Sequence, residues 1–148
     1  MESASYKSGV AEMVKKTRDI QRSDVRVLVV DDVLSNLMMA KGLMEPYGMN
    51  IYLVKNGQKA VDLIREGKIR FNAIFMDHLM PGMDGIEAVR IIREMDSEYA
   101  KTVPIIALTA NVSRENADMF LGHGFQDFLS KPIDIFEMEK ILLKWVAC

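Results

Sequence analysis

The stretch Phe75-Met76-Asp77-His78-Leu79-Met80-Pro81-Gly82-Met83-Asp84-Gly85 decides how the rest of the chain is read. A buried-looking apolar run reaches Asp77 and gives way to Pro81 and Gly82, residues that make a turn. Asp84, followed three residues later by Glu87, reads as a capping box, and it opens a helix whose inward stripe is Gly85, Ala88, Val89 and Ile92. The order is strand, acid, turn, helix. An aspartate at the carboxyl end of a parallel strand lies in the crevice where open α/β sheets bind ligands.

The same unit repeats on both sides. Short apolar runs at 25–30, 50–54, 72–76, 103–108 and 125–129 alternate with segments of helical periodicity, which predicts five parallel strands covered on both faces by five helices. The first helix is predicted over 35–47, with Leu37, Ala40, Met44 and Tyr47 on one face and Pro46 straining its last turn. Asn56 caps the second, which turns Gly57, Ala60 and Ile64 inward and stops at Gly67. Ser113 caps the fourth, with Ala117 and Phe120 inward and Gly122 and Gly124 closing it. Asp134 and Glu137 make a second capping box ahead of Ile135, Met138, Leu142 and Trp145.

Composition narrows the function classes. The 148 residues suit one domain, and with 49% hydrophobic residues they can bury a real core. Nineteen basic against 21 acidic residues leave a formal charge of -2, so no field of one sign points to nucleic acid or an anionic membrane. Cys148 has no second cysteine to pair with, which fits a reducing, cytoplasmic setting. No apolar run approaches the ~18 residues that span a bilayer, and residues 1–9 lack the apolar core of a signal peptide. Residues 1–24 are polar and mixed in charge. They read as a linker or N-terminal extension to a domain over 25–148, with Val10, Met13, Val14 and Thr17 at helical spacing.

The chemistry gathers at the strand ends. Strand one delivers Asp31 and Asp32, strand three Asp77, strand four Thr109 and strand five Lys131. In a parallel sheet with right-handed crossovers these ends share one rim. Carboxylates so close repel unless a cation neutralises them, and an all-oxygen site with room for water suits Mg²⁺. With that charge screened, one carboxylate can act as a nucleophile toward phosphorus, while the lysine and the hydroxyl meet the phosphoryl oxygens.

These motifs together resemble the receiver domain of bacterial two-component response regulators: the acidic pair, Asp77 ahead of Met80-Pro81-Gly82-Met83-Asp84-Gly85, Thr109-Ala110, and Lys131-Pro132. The resemblance covers 25–146. It implies a flavodoxin-like (CheY-like) α/β fold with strand order 2-1-3-4-5, Asp77 as the phosphoryl acceptor, and a phosphohistidine donor on a histidine kinase or histidine phosphotransfer protein. It further implies that Asp32 and Asp77 bind Mg²⁺ directly with the backbone carbonyl of Leu79, Asp31 acting mainly through water. Thr109 and the aromatic Phe128 would form a switch read out on the fourth helix, fifth strand and fifth helix, and the Lys131-Pro132 bond would be cis. Dimerisation is left open, and contact with nucleic acid or membrane is not implied. Leu79 and Asn111 occupy positions that tune phosphoryl lifetime in such domains, and they predict slow to intermediate self-dephosphorylation. Val30-Asp31-Asp32-Val33-Leu34-Ser35-Asn36-Leu37 and Glu45-Pro46-Tyr47-Gly48 are similar to receivers fused to hybrid sensor histidine kinases. A receiver from a hybrid kinase, whose parent can be membrane-anchored, ranks ahead of a free-standing single-domain regulator. The domain itself is then a switch rather than a turnover enzyme.

Blander readings stand beside these. Asp84 is a helix cap and not a metal ligand. His78 and His123 are loop residues with no second ligand at metal spacing. Phe128 fits a core filler as well as a switch. Most of the 12 methionines suit a core, although Met38 and Met39 can be exposed and would then suit an adaptable docking surface. A magnesium-dependent phosphohydrolase with an aspartyl nucleophile would need a second acid where Leu79 stands. A flavin binder would need a Ser/Thr/Gly-rich phosphate loop where the two acids stand.

Overall fold

The computed structural model describes residues 25–110 and 113–146 of the chain. The predicted linker over 1–24, Asn111 and Cys148 lie outside them. Strands and helices alternate as β1 (Arg26–Val30), α1 (Leu34–Met44), β2 (Asn50–Val54), α2 (Gly57–Glu66), β3 (Ala73–Asp77), α3 (Gly85–Arg93), α4 (Glu98–Thr102), β4 (Ile105–Thr109), α5 (Arg114–Gly122), β5 (Asp127–Ser130) and α6 (Ile135–Trp145). The five strands form one parallel sheet in the order β2-β1-β3-β4-β5. This is the predicted α/β architecture with six helices among the described residues instead of five. The extra one, α4, is a single turn and a half capped by Ser97, which accepts from the Ala100 N–H at 3.2 Å. So short a helix carries no apolar stripe from which periodicity can be read.

Two further expectations are corrected. α1 ends at Met44, and Glu45–Tyr47 forms a 3-10 turn with Pro46 in its opening positions, where a missing N–H costs nothing, closed by Gly48 at φ 76°. On α6, Ile135 is exposed, and Ile141 joins Met138 and Leu142 inside. The predicted caps are made: Asn56 accepts from the Lys59 N–H at 2.8 Å, Asp84 from Glu87 at 2.8 Å, Ser113 from Asn116 at 3.1 Å and Asp134 from Phe136 at 2.8 Å. The Lys131–Pro132 bond is cis.

Side chains alternate through the sheet and build a core on each face. Leu28, Val30, Ile74, Met76, Ile105 and Ala107 pack beneath α2, α3 and α5. Val27, Val29, Ala73, Phe75, Ile106 and Leu108 pack beneath α1 and α6. Each larger side chain so buried contributes about 1.5–3 kcal/mol. β3 and β4 are buried along their whole length, so whatever ends them is drawn out of water as well.

Candidate functional site

Register sets the rim. Asp77, the last residue of β3, pairs with Leu108, and Thr109 pairs with Ser130. The His78 N–H donates to the Leu108 carbonyl at 3.1 Å and the Lys131 N–H to the Thr109 carbonyl at 2.9 Å. The ladder thus runs one residue beyond each strand and brings Lys131 to Asp77. Asp31 is held beside β2 by its own N–H, which donates to the Val54 carbonyl at 3.2 Å.

The predicted acids and lysine do converge. Lys131 Nζ stands 3.1 Å from Asp77 Oδ1 and 3.7 Å from Asp31 Oδ2. One carboxylate oxygen from each of Asp31, Asp32 and Asp77 lies within 4.8 Å of the others. Asp31 and Asp77 are 1% and 2% exposed, whereas Asp32 opens to solvent. Thr109, also buried, follows the residue that pairs with Asp77.

Burial pushes the Asp77 carboxyl above the usual carboxylate range, and Asp31 adds to the rise. The hydrogen bond from Lys131 and the Leu79 N–H, which donates to Asp77 Oδ1 at 3.2 Å, pull it back. Asp31 and Asp77 share the Lys131 ammonium while Asp32 lies beside them, which leaves the rim short of positive charge among the described residues. Asp31 Oδ2 is buried and accepts no hydrogen bond among the described residues. A buried carboxylate oxygen without a donor, in an all-oxygen cluster open to water on one side, fits a hard divalent cation such as Mg²⁺.

The loop after Asp77 rests on α3. The Gly85 N–H donates to the His78 carbonyl at 3.0 Å, and a Cβ on Gly85 would lie 2.9 Å from His78 Cα. Asp84 caps α3, as expected. His78 is more than a solvated loop residue: it is half-buried, its ring edge-on to Phe120 with centroids 5.0 Å apart. Leu79 points outward, 70% exposed. Phe128 is half-buried in β5 beside the core under α3 and α5.

Two features escaped the sequence reading or went further than it. Asn36 donates through Nδ2 to Asp31 Oδ1 at 3.4 Å, a contact signalled only by its place five residues after the first acid. α1 is apolar on its outer side too: Leu34, Met38 and Met39 are each about half exposed, next to exposed Val33 at the rim.

The chain matches the response regulator receiver domain family over residues 27–143. It is 37% identical over 123 residues to the sensor histidine kinase GacS of Pseudomonas protegens, an alignment covering 82% of this chain and 13% of GacS. The chain therefore spans a small part of the curated relatives it matches. Its fold superposes at TM-score 0.72 and 34% identity on the receiver domain of sensor histidine kinase PA1611 from Pseudomonas aeruginosa, solved with a magnesium ion coordinated in the active site cleft, covering 84% of this chain and 98% of that one. A co-crystal structure of the Saccharomyces cerevisiae histidine phosphotransfer protein Ypd1 and the receiver domain of the downstream response regulator Ssk1 matches at TM-score 0.73 and 32% identity, over 82% and 88% of the two chains. The family match runs from within β1 into α6, across every strand that brings a residue to the rim, and the chain belongs to the response regulator receiver domains.

Proposed function

We propose that Asp77 accepts a phosphoryl group from a phosphohistidine on a histidine kinase or histidine phosphotransfer protein. The observation that carries this reading is the placement of Lys131 Nζ 3.1 Å from Asp77 Oδ1, beside acid oxygens gathered within 4.8 Å. One Asp77 oxygen forms the new O–P bond while the P–N bond to the donor imidazole breaks. The nitrogen leaves with the electron pair and takes a proton from solvent. Lys131 and the Thr109 hydroxyl then meet the phosphoryl oxygens, where negative charge spreads. Mg²⁺ held by Asp31, Asp32, Asp77 and the Leu79 carbonyl would supply the positive charge that lets acids and phosphate share the rim. New contacts from Thr109 and Lys131 to the added charge bias a two-state element, with Phe128 as its aromatic part.

The outer face of α1 supports a protein partner at this rim. Apolar, adaptable side chains such as Met38 and Met39 suit docking of a phosphotransfer protein. Similarity to the sensor histidine kinase GacS, and at 36% identity over 121 residues to the hybrid signal transduction histidine kinase M of Dictyostelium discoideum, supports a hybrid histidine kinase as the parent. A cytoplasmic setting for this domain, with any membrane anchor elsewhere in that parent, completes the reading; no described helix is long and apolar enough to cross a membrane. Incubation with acetyl phosphate and Mg²⁺ tests the reaction. The reading expects one acid-stable, base-labile phosphoryl group per chain, absent in Asp77→Ala. Steady turnover of small phosphate esters would instead favour a hydrolase.

A further inference from the structure

We propose that Asn36 is a positioning residue for Asp31, an assignment that rests on the phosphoacceptor reading of the rim. The two oxygens of the Asp31 carboxylate have unlike surroundings. Oδ1 accepts from the Val33 N–H at 2.9 Å and from Asn36 Nδ2 at 3.4 Å. Oδ2 accepts nothing among the described residues and faces Lys131 Nζ at 3.7 Å. The torsion that turns a carboxylate is broad and soft, so donors or close packing must set it. Packing does not set it here. A cavity of about 20 Å³ lies against Asp31, bounded by Asn36, Met39, Leu108, Lys131 and Pro132. That is room for about one water molecule, so close packing does not clamp this side of the carboxylate.

Hydrogen bonds on Oδ1 therefore keep Oδ2 turned toward Lys131 and the rim, where it would meet a bound cation. The Val33 donor is backbone and available whatever residue stands there. The Asn36 amide is the side-chain contribution, delivered from the first turn of α1. It also leaves the neighbouring charge unchanged, where an acid at this position would add to the repulsion. Asn36 thus acts on the metal through Asp31, as partners of metal-binding carboxylates do elsewhere.

Isothermal titration of Mg²⁺ into the chain and into Asn36→Ala and Asn36→Leu tests this. Asn36 is only half-buried, so both variants should fold, and circular dichroism with the metal-free melting temperature confirms it. The expected result is a Kd raised about three- to tenfold in both variants, at or just below the usual effect of losing such a partner. In acetyl phosphate reactions the half-saturating Mg²⁺ concentration rises by the same factor, and the rate recovers once Mg²⁺ exceeds the new Kd. Folded variants with an unchanged Kd would overturn the role of Asn36 alone. An unsubstituted chain that binds no Mg²⁺ would overturn the functional reading along with it.

Discussion

Asp77 is held in a place that disfavours its charge. Burial raises its pKa, so in the metal-free chain its ionisation opposes folding. The stability that comes with the neutral carboxyl is full below the unfolded-state pKa and is lost as pH rises through the raised folded-state value. Asp77→Asn, neutral at every pH, should therefore melt higher than the unsubstituted chain at pH 7 in chelator. Each kcal/mol recovered is worth roughly 3–6 °C in a domain of this size. The two curves should converge as pH falls below the ordinary carboxylate range. Equal melting temperatures at pH 7, or a gap that widens toward acid, would contradict the electrostatic account. The placement of Asp31, Asp32, Asp77, Thr109 and Lys131 was legible in the sequence because each ends or directly follows a strand, and topology puts strand ends together. Asn36 was not, because its partner is decided by how the first turn of α1 faces the rim.

Among the elements, α3 and α1 carry the clearest consequences. α3 presses its first residue against the loop that follows Asp77, and only a glycine fits: Gly85→Ala would force a Cβ into the Asp77-His78 backbone. The expected cost is about 1–3 kcal/mol, seen by urea denaturation, together with slower phosphorylation, since the displaced backbone is that of the proposed acceptor. Undiminished stability would show that α3 can slide away freely. α1 shows its importance by what it leaves uncovered. Met38→Gln with Met39→Gln, which removes apolar surface without adding charge beside Asp31, should reduce transfer from a phosphorylated histidine phosphotransfer protein about tenfold or more, the equivalent of 1.4 kcal/mol at the interface. The rate with acetyl phosphate, which needs no docking, should hold. Equal loss with both donors would place the methionines in the chemistry instead of the docking. The apolar spacing of α1 disclosed its inner stripe of Leu37, Ala40 and Met44, but not how far its outer side is exposed.

Across the whole molecule, the sheet order and the alternation of strand and helix were written in short apolar runs and in caps such as Asn56, Asp84, Ser113 and Asp134. What holds the far end together was not. Arg93 lies half-buried at the end of α3, its pKa lowered to about 10 by desolvation. It donates to the carbonyls of Ala100, Val103 and Gly124 at 3.0, 2.8 and 2.9 Å and to Gln126 Oε1 at 2.6 Å. These bonds tie α3, α4 and the approaches to β4 and β5. Carbonyl partners of this kind leave no trace in residue identity, and neither does the buried bond from the Tyr47 hydroxyl to Glu139, which joins the 3-10 turn after α1 to α6. The sheet, held from below, keeps its acid-lined rim in register above. The most direct test of that arrangement is to locate the phosphoryl group after reaction with acetyl phosphate and Mg²⁺, by borohydride reduction and tandem mass spectrometry. The account predicts homoserine at position 77 and nowhere else. A label on any other residue, or one that survives in Asp77→Ala, would contradict it.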